Sequence, residues 1–257
     1  MTDHLIPLAF AALDPRINKL LVVAGPGSGK SMLLSVALPA FMIGQDPTLT
    51  CLSLSAGESL IQGFMLAIMD IIQNHPMWHA VFPSVLPDKE KGWSTDRGIF
   101  VTGHPSSDPD SSYFAAGIGS KALTGKHARL INADDLHDRE NSASSDSCLR
   151  VRETYYRQII GRADPRGARY IFAGRRWHED DIYGHLKETG DWVVMELPAV
   201  RREETSLFWD IFLPQGLICC FNDPDAEKSI LPESILENLP AAPILTPTTA
   251  VNDIRTA

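Results

Sequence analysis

The sequence is poor in cysteine, has no long apolar run and carries no excess of basic residues. Each shortage removes a class of protein. Its four cysteines (Cys51, Cys148, Cys219 and Cys220) form no Cys-x-x-Cys pair and no metal-ligand spacing. They read as reduced thiols of a cytosolic protein rather than a disulfide framework or a zinc site. The longest apolar stretch, Met32 to Ile43, is interrupted by Ser35 and Pro39 and is too short to span a bilayer, so no membrane association is expected. No targeting leader is expected, because residues 1–20 lack the basic, apolar pattern of one. The formal charge of −9 argues against a surface that coats nucleic acid generally. Any contact with DNA must therefore be local.

What is present is a globular composition. The 257 residues are 44% hydrophobic, enough for one domain with a real core and room for a small appendage. Strand-like runs are Lys19 to Ala24, Thr50 to Leu54, Gly98 to Thr102, Ala128 to Ala133, Arg169 to Ala173 and Trp192 to Leu197. Helix-like runs are Lys30 to Met42, Glu58 to Gln73, Asp146 to Ile160 and Asp180 to Glu188. This alternation predicts an α/β fold, a mostly parallel sheet covered on both faces. The segments His75 to Ser94 and Gly103 to Ser112, rich in proline, serine and aspartate, read as irregular connections. Beyond about Arg201 the pattern weakens, and the proline-spaced end, LPAAPILTPTTAVNDIRTA, reads as an extended tail. There is no internal repeat.

The most specific stretch is LLVVAGPGSGKSMLLSVALPAF, residues 20–41. An apolar strand runs into Gly25-Pro26-Gly27-Ser28-Gly29, then Lys30-Ser31 opens a helix-compatible run, which is the P-loop order of elements. Glycines let successive backbone N–H groups converge on phosphate oxygens, and the helix adds the positive end of its dipole. Lys30 would reach the β- and γ-phosphates of ATP, and the Ser31 hydroxyl would ligate Mg²⁺. The motif asks for glycine at position 24, where this chain has alanine; that costs little if Ala24 keeps a negative φ.

Such a loop needs an acidic partner at the end of a neighbouring strand. ARLINADDLHD supplies one: 128–133 can form a buried strand, with Asn132 the awkward residue, and Asp134 then sits at its C-terminal end. Asp134 is expected in the Mg²⁺ shell and Asp135 is expected to polarise water. The same Asp-Asp pair would also serve as a turn and helix cap. In YIFAGRRWHEDDIYGHL the run His178 to Asp181 does not match His-Glu-x-x-His, so these acids read as caps rather than metal ligands. Arg150, Arg152, Arg157, Arg162, Arg166, Arg169, Arg175 and Arg176 are opposed only by Glu153 and Asp164 in the same stretch. They can bind DNA phosphates, reach a neighbour's nucleotide, or form a solvated face with helical charge pairs.

Taken in order, these motifs resemble the ATPase domain of the large terminase subunit of tailed bacteriophages. GPGSGKS is similar to that family's Walker A loop, and CLSLSAGESLIQGF to the strand and helix that follow it. GIGSKALTGKHARLINADDLHD resembles the approach to its Walker B strand. ADPRGARYIFAGRRWHEDDIYGHL resembles its coupling segment, and WVVMELPAV its closing strand. The resemblance spans about Leu20 to Val200. It implies a three-layer α/β/α P-loop NTPase of the RecA-like, ASCE type, with an additional strand between Walker A and Walker B. It further implies an ATP- and Mg²⁺-dependent motor that pumps double-stranded DNA through a portal protein into a procapsid. Five copies would work as a ring in the host cytoplasm, with a small terminase subunit recognising the genome. By position, Lys30, Asp135 and Arg176 would be the catalytic and coupling residues, residues 25–31 the nucleotide loop, and Ser31 with Asp134 the metal ligands.

Arg175 stands where the family commonly has threonine, and Lys126 where many relatives have arginine. The expected organisation is an ATPase domain over 1–200 and a linker or lid-like region with a tail over 201–257, without the family's nuclease domain. Two other readings stay open: a degenerate packaging subunit that binds ATP with little turnover, and another nucleic-acid-stimulated, helicase-like P-loop ATPase.

Overall fold

The computed structural model describes residues 5–197, 210–212 and 218–220. The expected tail at 239–257 lies outside them. In chain order the elements are α1 (Leu5–Leu13), β1 (Lys19–Ala24), a π-helical segment Met32–Ala37 continuing into α2 (Leu38–Gln45), β2 (Cys51–Ser55), α3 (Glu58–Asn74) and α4 (Pro76–Val81). Next come β3 (Trp93–Ser94), β4 (Gly98–Ile99), β5 (Tyr113–Gly117), β6 (Leu130–Asp134) and α5 (Ser145–Thr154), which runs on through a second π-helical turn, Tyr155–Ile159. β7 (Arg169–Gly174), α6 (Ile182–Thr189), β8 (Val193–Leu197), β9 (Asp210–Phe212) and β10 (Ile218–Cys220) complete the set.

The strands form one mixed sheet in the order β10-β9-β8-β1-β7-β6-β2-β5-β4-β3. Its centre, β8 to β5, is parallel throughout, and the strands beyond it on both sides are antiparallel. Central parallel strands are buried on both faces, which is why Leu20 to Val23 reads as a continuous apolar run rather than an alternating one. The alternation survives in which face each residue serves. Leu20, Val22 and Ala24 join a core cluster with α1, α2 and α3, while Leu21 joins a second one with α5 and α6. Helices thus cover both faces, an arrangement compatible with a three-layer α/β/α architecture. In α3 the buried residues Ile61, Phe64, Met65, Ile68 and Ile72 fall at helical spacing on one stripe. Among the described residues no helix is long and apolar enough to cross a membrane.

Several expectations needed correction. The strand expected over 98–102 shrinks to Gly98–Ile99, with Val101 making one isolated bridge to Pro87. Gly98, which opens it, has φ +89°, and a Cβ there would lie 2.4 Å from the Ser111 hydroxyl oxygen. β5 was not anticipated, because after Tyr113 and Phe114 its Ala-Ala-Gly end has weak strand propensity. Pairing with β2, from Cys51 opposite Tyr113 to Ser55 opposite Gly117, supplies what propensity does not. The connection 75–94 contains α4, started by Pro76 at its first turn. β9 and β10 carry the sheet beyond residue 200 by antiparallel pairing with β8.

Asn132, the awkward residue of β6, has a clear physical role. The Leu38 N–H bonds to the Leu33 carbonyl, five residues back. In that register the Leu34 carbonyl would pair with residue 39, but Pro39 has no N–H. The Asn132 side-chain amide donates to the Leu34 carbonyl instead, at 2.8 Å and fully buried. The helix after the glycine loop is thereby bolted to β6.

Two glycines test the packing in opposite directions. A Cβ on Gly44 would sit 2.5 Å from the Phe82 ring, which Phe41 and Trp78 box in. A Cβ on exposed Gly63 of α3 meets nothing within 4 Å. In denaturant unfolding, Gly44→Ala should lose about 1–3 kcal/mol to overpacking, while Gly63→Ala should gain up to about 1 kcal/mol of helix propensity.

Candidate active site

β1 delivers the chain to a tight turn, where Gly27 and Gly29 adopt φ +77° and +81°, conformations that disfavour any side chain. Ala24 ends β1 in extended conformation, and among the described residues the only non-glycine with positive φ is Asp135. Alanine at position 24 is therefore unstrained. A Cβ on Gly29 would come within 3.1 Å of the Leu5 side chain, so α1 backs the loop. Lys30 and Ser31 form the first turn of the helix that follows.

Because β7 lies between β1 and β6, the ends of the three strands meet at one edge of the sheet. Val23 is paired with Gly174, and Ala173 with Asp134. The Lys30 ammonium is buried and stands 3.5 Å from an Asp135 carboxylate oxygen. Asp134 is only 1% exposed, and neither of its oxygens reaches full hydrogen-bond geometry with a protein donor. Burial pushes its carboxyl up to about 6; the nearby Ser31 hydroxyl and the Lys30 charge pull it back, and the Asp135 charge adds to the rise. A buried carboxylate with open lone pairs beside a hydroxyl is a donor set suited to a hard divalent cation such as Mg²⁺.

Asp135 is held at φ +46°, a left-handed conformation that costs aspartate on the order of 1–2 kcal/mol. Its N–H donates to the Ala173 carbonyl at 2.9 Å, and its carbonyl accepts the Ala56 N–H at 3.0 Å. The ends of β7 and β2 thus fix this residue from both sides, and strain persists where the surroundings over-determine it.

The next residues tie β6 to α6. The Leu136 N–H donates to the Tyr183 hydroxyl at 2.7 Å, and that hydroxyl donates onward to the Ala173 carbonyl at 3.2 Å. His137 Nε2 accepts the Ile182 N–H at 2.9 Å, so its proton sits on Nδ1 and is donated to the Asn141 side-chain oxygen at 3.1 Å. Burial lowers the His137 pKa, which favours this neutral form. Asp181, fully buried, caps α6 through the Gly184 N–H and accepts the Trp177 and His178 N–H groups. It also takes the Arg176 guanidinium at 2.8 Å.

Lys30, Ser31, Asp134, Asp135 and the loop of Gly25, Pro26, Gly27, Ser28 and Gly29 are therefore adjacent. Arg176 is not directed at them: it is spent on Asp181 and on the His178 and Glu179 carbonyls, bracing the segment between β7 and α6. The other arginines divide as well. Arg169 is half-buried and donates to the carbonyls of Ala11, Asp14 and Ile17, and desolvation lowers its pKa to about 10. Arg152 pairs with Asp180, Arg166 with Asp164, and Arg162 bonds the Gln158 carbonyl. Arg150 and Arg157 remain exposed on the helical run begun by α5, Arg157 in a helical pair with Glu153. The Lys126 ammonium lies over the Phe114 ring. Sequence reasoning missed Tyr183 and His137, whose partners lie 45–47 residues away. No family model matches the chain, and no curated protein matches it.

Asp134 gives the site a pH signature. Its pKa in the fold is above the value of 3.8 for a free aspartate, so between about pH 4 and 6 the folded chain keeps a proton that the unfolded chain has lost. Its contribution to stability is complete below that window and is lost as pH rises through about 6. Without ligand, Asp134→Asn should flatten this part of the stability–pH curve in denaturant melts at about pH 5 and about pH 8. An unchanged slope would mean that the carboxylate is not desolvated.

Proposed function

We propose that the chain is a P-loop NTPase of the RecA-like, ASCE type: an ATP-hydrolysing subunit of a motor that moves double-stranded viral DNA into a procapsid. The observation that carries the nucleotide part is the adjacency of Ser31 to the buried Asp134, with Lys30 3.5 Å from Asp135. The position of β7 between the strand before the glycine loop and the strand ending in Asp134 supports it further. The motor part is supported by the run Arg176-Trp177-His178-Glu179-Asp180-Asp181 and its resemblance to the terminase coupling segment.

In this reading the loop N–H groups and Lys30 bind the β- and γ-phosphates of ATP. Ser31 and Asp134 would hold Mg²⁺, which would supply charge neutralisation at the phosphates. Lys30 exchanges Asp135 for phosphate oxygens, which frees the Asp135 carboxylate to orient water and accept its proton. Positioning and electrostatics do the work, without a covalent enzyme intermediate. Asp135 shares the Ala173 carbonyl with Tyr183, so a change at the γ-phosphate is felt at α6 and in the segment braced by Arg176. The subunit would act as one of five in a ring on the portal protein in the host cytoplasm, with a small terminase subunit choosing the genome. DNA would be met locally, as the net charge of −9 requires.

Steady-state ATP turnover with and without linear double-stranded DNA tests this. Asp135→Asn is a clean probe, because asparagine tolerates the left-handed backbone while removing the charge. Lys30→Ala and Asp135→Asn should each lower kcat by about 10²-fold or more. Arg176→Ala should keep nucleotide binding and lose DNA stimulation; full DNA-coupled turnover in that variant would remove the coupling role. Binding without any hydrolysis in the wild type would replace the motor reading with that of a degenerate subunit.

A further inference from the structure

Arg175 is the first residue beyond β7, and β7 is the strand between β1 and β6. Gly174 is paired with Val23 and Ala173 with Asp134, so the chain leaves the sheet at Arg175 level with Ala24 on one side and one residue beyond Asp135 on the other. Along β7, Ile171 and Ala173 face the core that holds Leu34 and Val36 of the helix after the glycine loop, whereas Phe172 faces the other core. At Gly174 the space on that other side is filled by Tyr183: a Cβ there would lie 2.1 Å from its ring. Continued by one residue, the alternation puts Arg175 on the face that carries Asp134 and the loop helix.

Arg175 is half-buried, and its guanidinium carbon sits 3.8 Å from the centroid of the Trp177 ring. Among the described residues no carboxylate lies within ion-pair distance of it, although Arg152, Arg157, Arg166 and its neighbour Arg176 each have one. It is a cation held by stacking, at the edge where a triphosphate would seat. That edge already carries Asp134 and Asp135 against one ammonium, Lys30. Adding a triphosphate with one divalent cation leaves an excess of negative charge, which a guanidinium can meet with a planar fork of donors.

We propose that Arg175 is a second phosphate-binding cation, which leaves the Trp177 ring to contact the terminal phosphate of a nucleoside triphosphate within its own subunit. It makes no bond to phosphorus; it neutralises charge on the oxygens of the transferred group. Trp177 is its resting platform. The inference rests on the nucleotide reading above.

The test compares a non-hydrolysable ATP analogue with ADP, each with Mg²⁺, read by binding affinity and by tryptophan emission, with Trp177→Phe identifying the Trp177 signal. The analogue should change Trp177 emission and ADP should not. Arg175→Ala should abolish that change and weaken the analogue about tenfold or more while leaving ADP within about twofold. Its kcat should fall by about 10³-fold, and Arg175→Lys should recover part of the analogue affinity. Preserved ADP binding shows that the variants fold. Equal weakening of both nucleotides, no weakening of either, or a Trp177 signal that does not distinguish them overturns the proposal while the nucleotide site stands. A wild type that binds neither nucleotide overturns both.

Discussion

A carboxylate closed off inside an apolar sheet is a constraint on everything around it. Asp134 ends a strand whose five residues are all buried, and its own two oxygens lack protein donors of full geometry. Burying an ionised group without a partner is costly, so the group either takes up a proton or takes up a cation. The arrangement around it suits the second outcome. Ser31 is brought beside it by the helix that starts at Lys30, and that helix is fixed to the same strand through Asn132 and the Leu34 carbonyl. The π-helical turn and Pro39, unremarkable in themselves, create the free carbonyl that makes this attachment possible. The loop helix and the acid are therefore tied to one strand.

A second consequence concerns how a local event could spread. Asp135 is strained, and the strain is held by backbone bonds from two neighbouring strands rather than by its own side chain. One of those acceptors, the Ala173 carbonyl, is shared with the Tyr183 hydroxyl. Tyr183 and His137 then carry the connection into α6, and Asp181 with Arg176 stiffens the segment leading to it. Tight packing at Gly174 and Gly184, where a Cβ would meet Tyr183 and Arg176 within 2.5 Å, leaves little slack. Closely packed elements of this kind switch between discrete arrangements rather than deforming smoothly.

The glycine loop and the acidic strand end were legible in the sequence because local backbone geometry dictates them. Positive φ favours glycine at 27 and 29, and a buried strand favours the mostly apolar run, interrupted only by Asn132, before the acids. The central strands were legible for the same reason. What the sequence did not disclose are the long-range satisfactions. Asn132 looked misplaced until its carbonyl partner, 98 residues away, was visible. β5 carries only two strong strand formers, Tyr113 and Phe114, directly after a loop rich in serine, proline and aspartate, and its register with β2 completes it as a strand. The arginine-rich stretch read as one patch, yet Arg169 and Arg176 are engaged with carbonyls and a carboxylate of their own chain while Arg150 faces solvent. Sequence gives charge; only the fold decides which charges are already spent.

The central claim is that Ser31 and Asp134 share one divalent cation beneath a triphosphate. A double-mutant cycle on Mg²⁺-dependent ATP binding, using Ser31→Ala, Asp134→Asn and the pair together, measures this directly. If both hold the same ion, each single substitution should weaken binding and the double variant should be scarcely worse than Asp134→Asn alone. Losses that simply add, or Mg²⁺-dependent binding that survives both changes, would contradict the shared site.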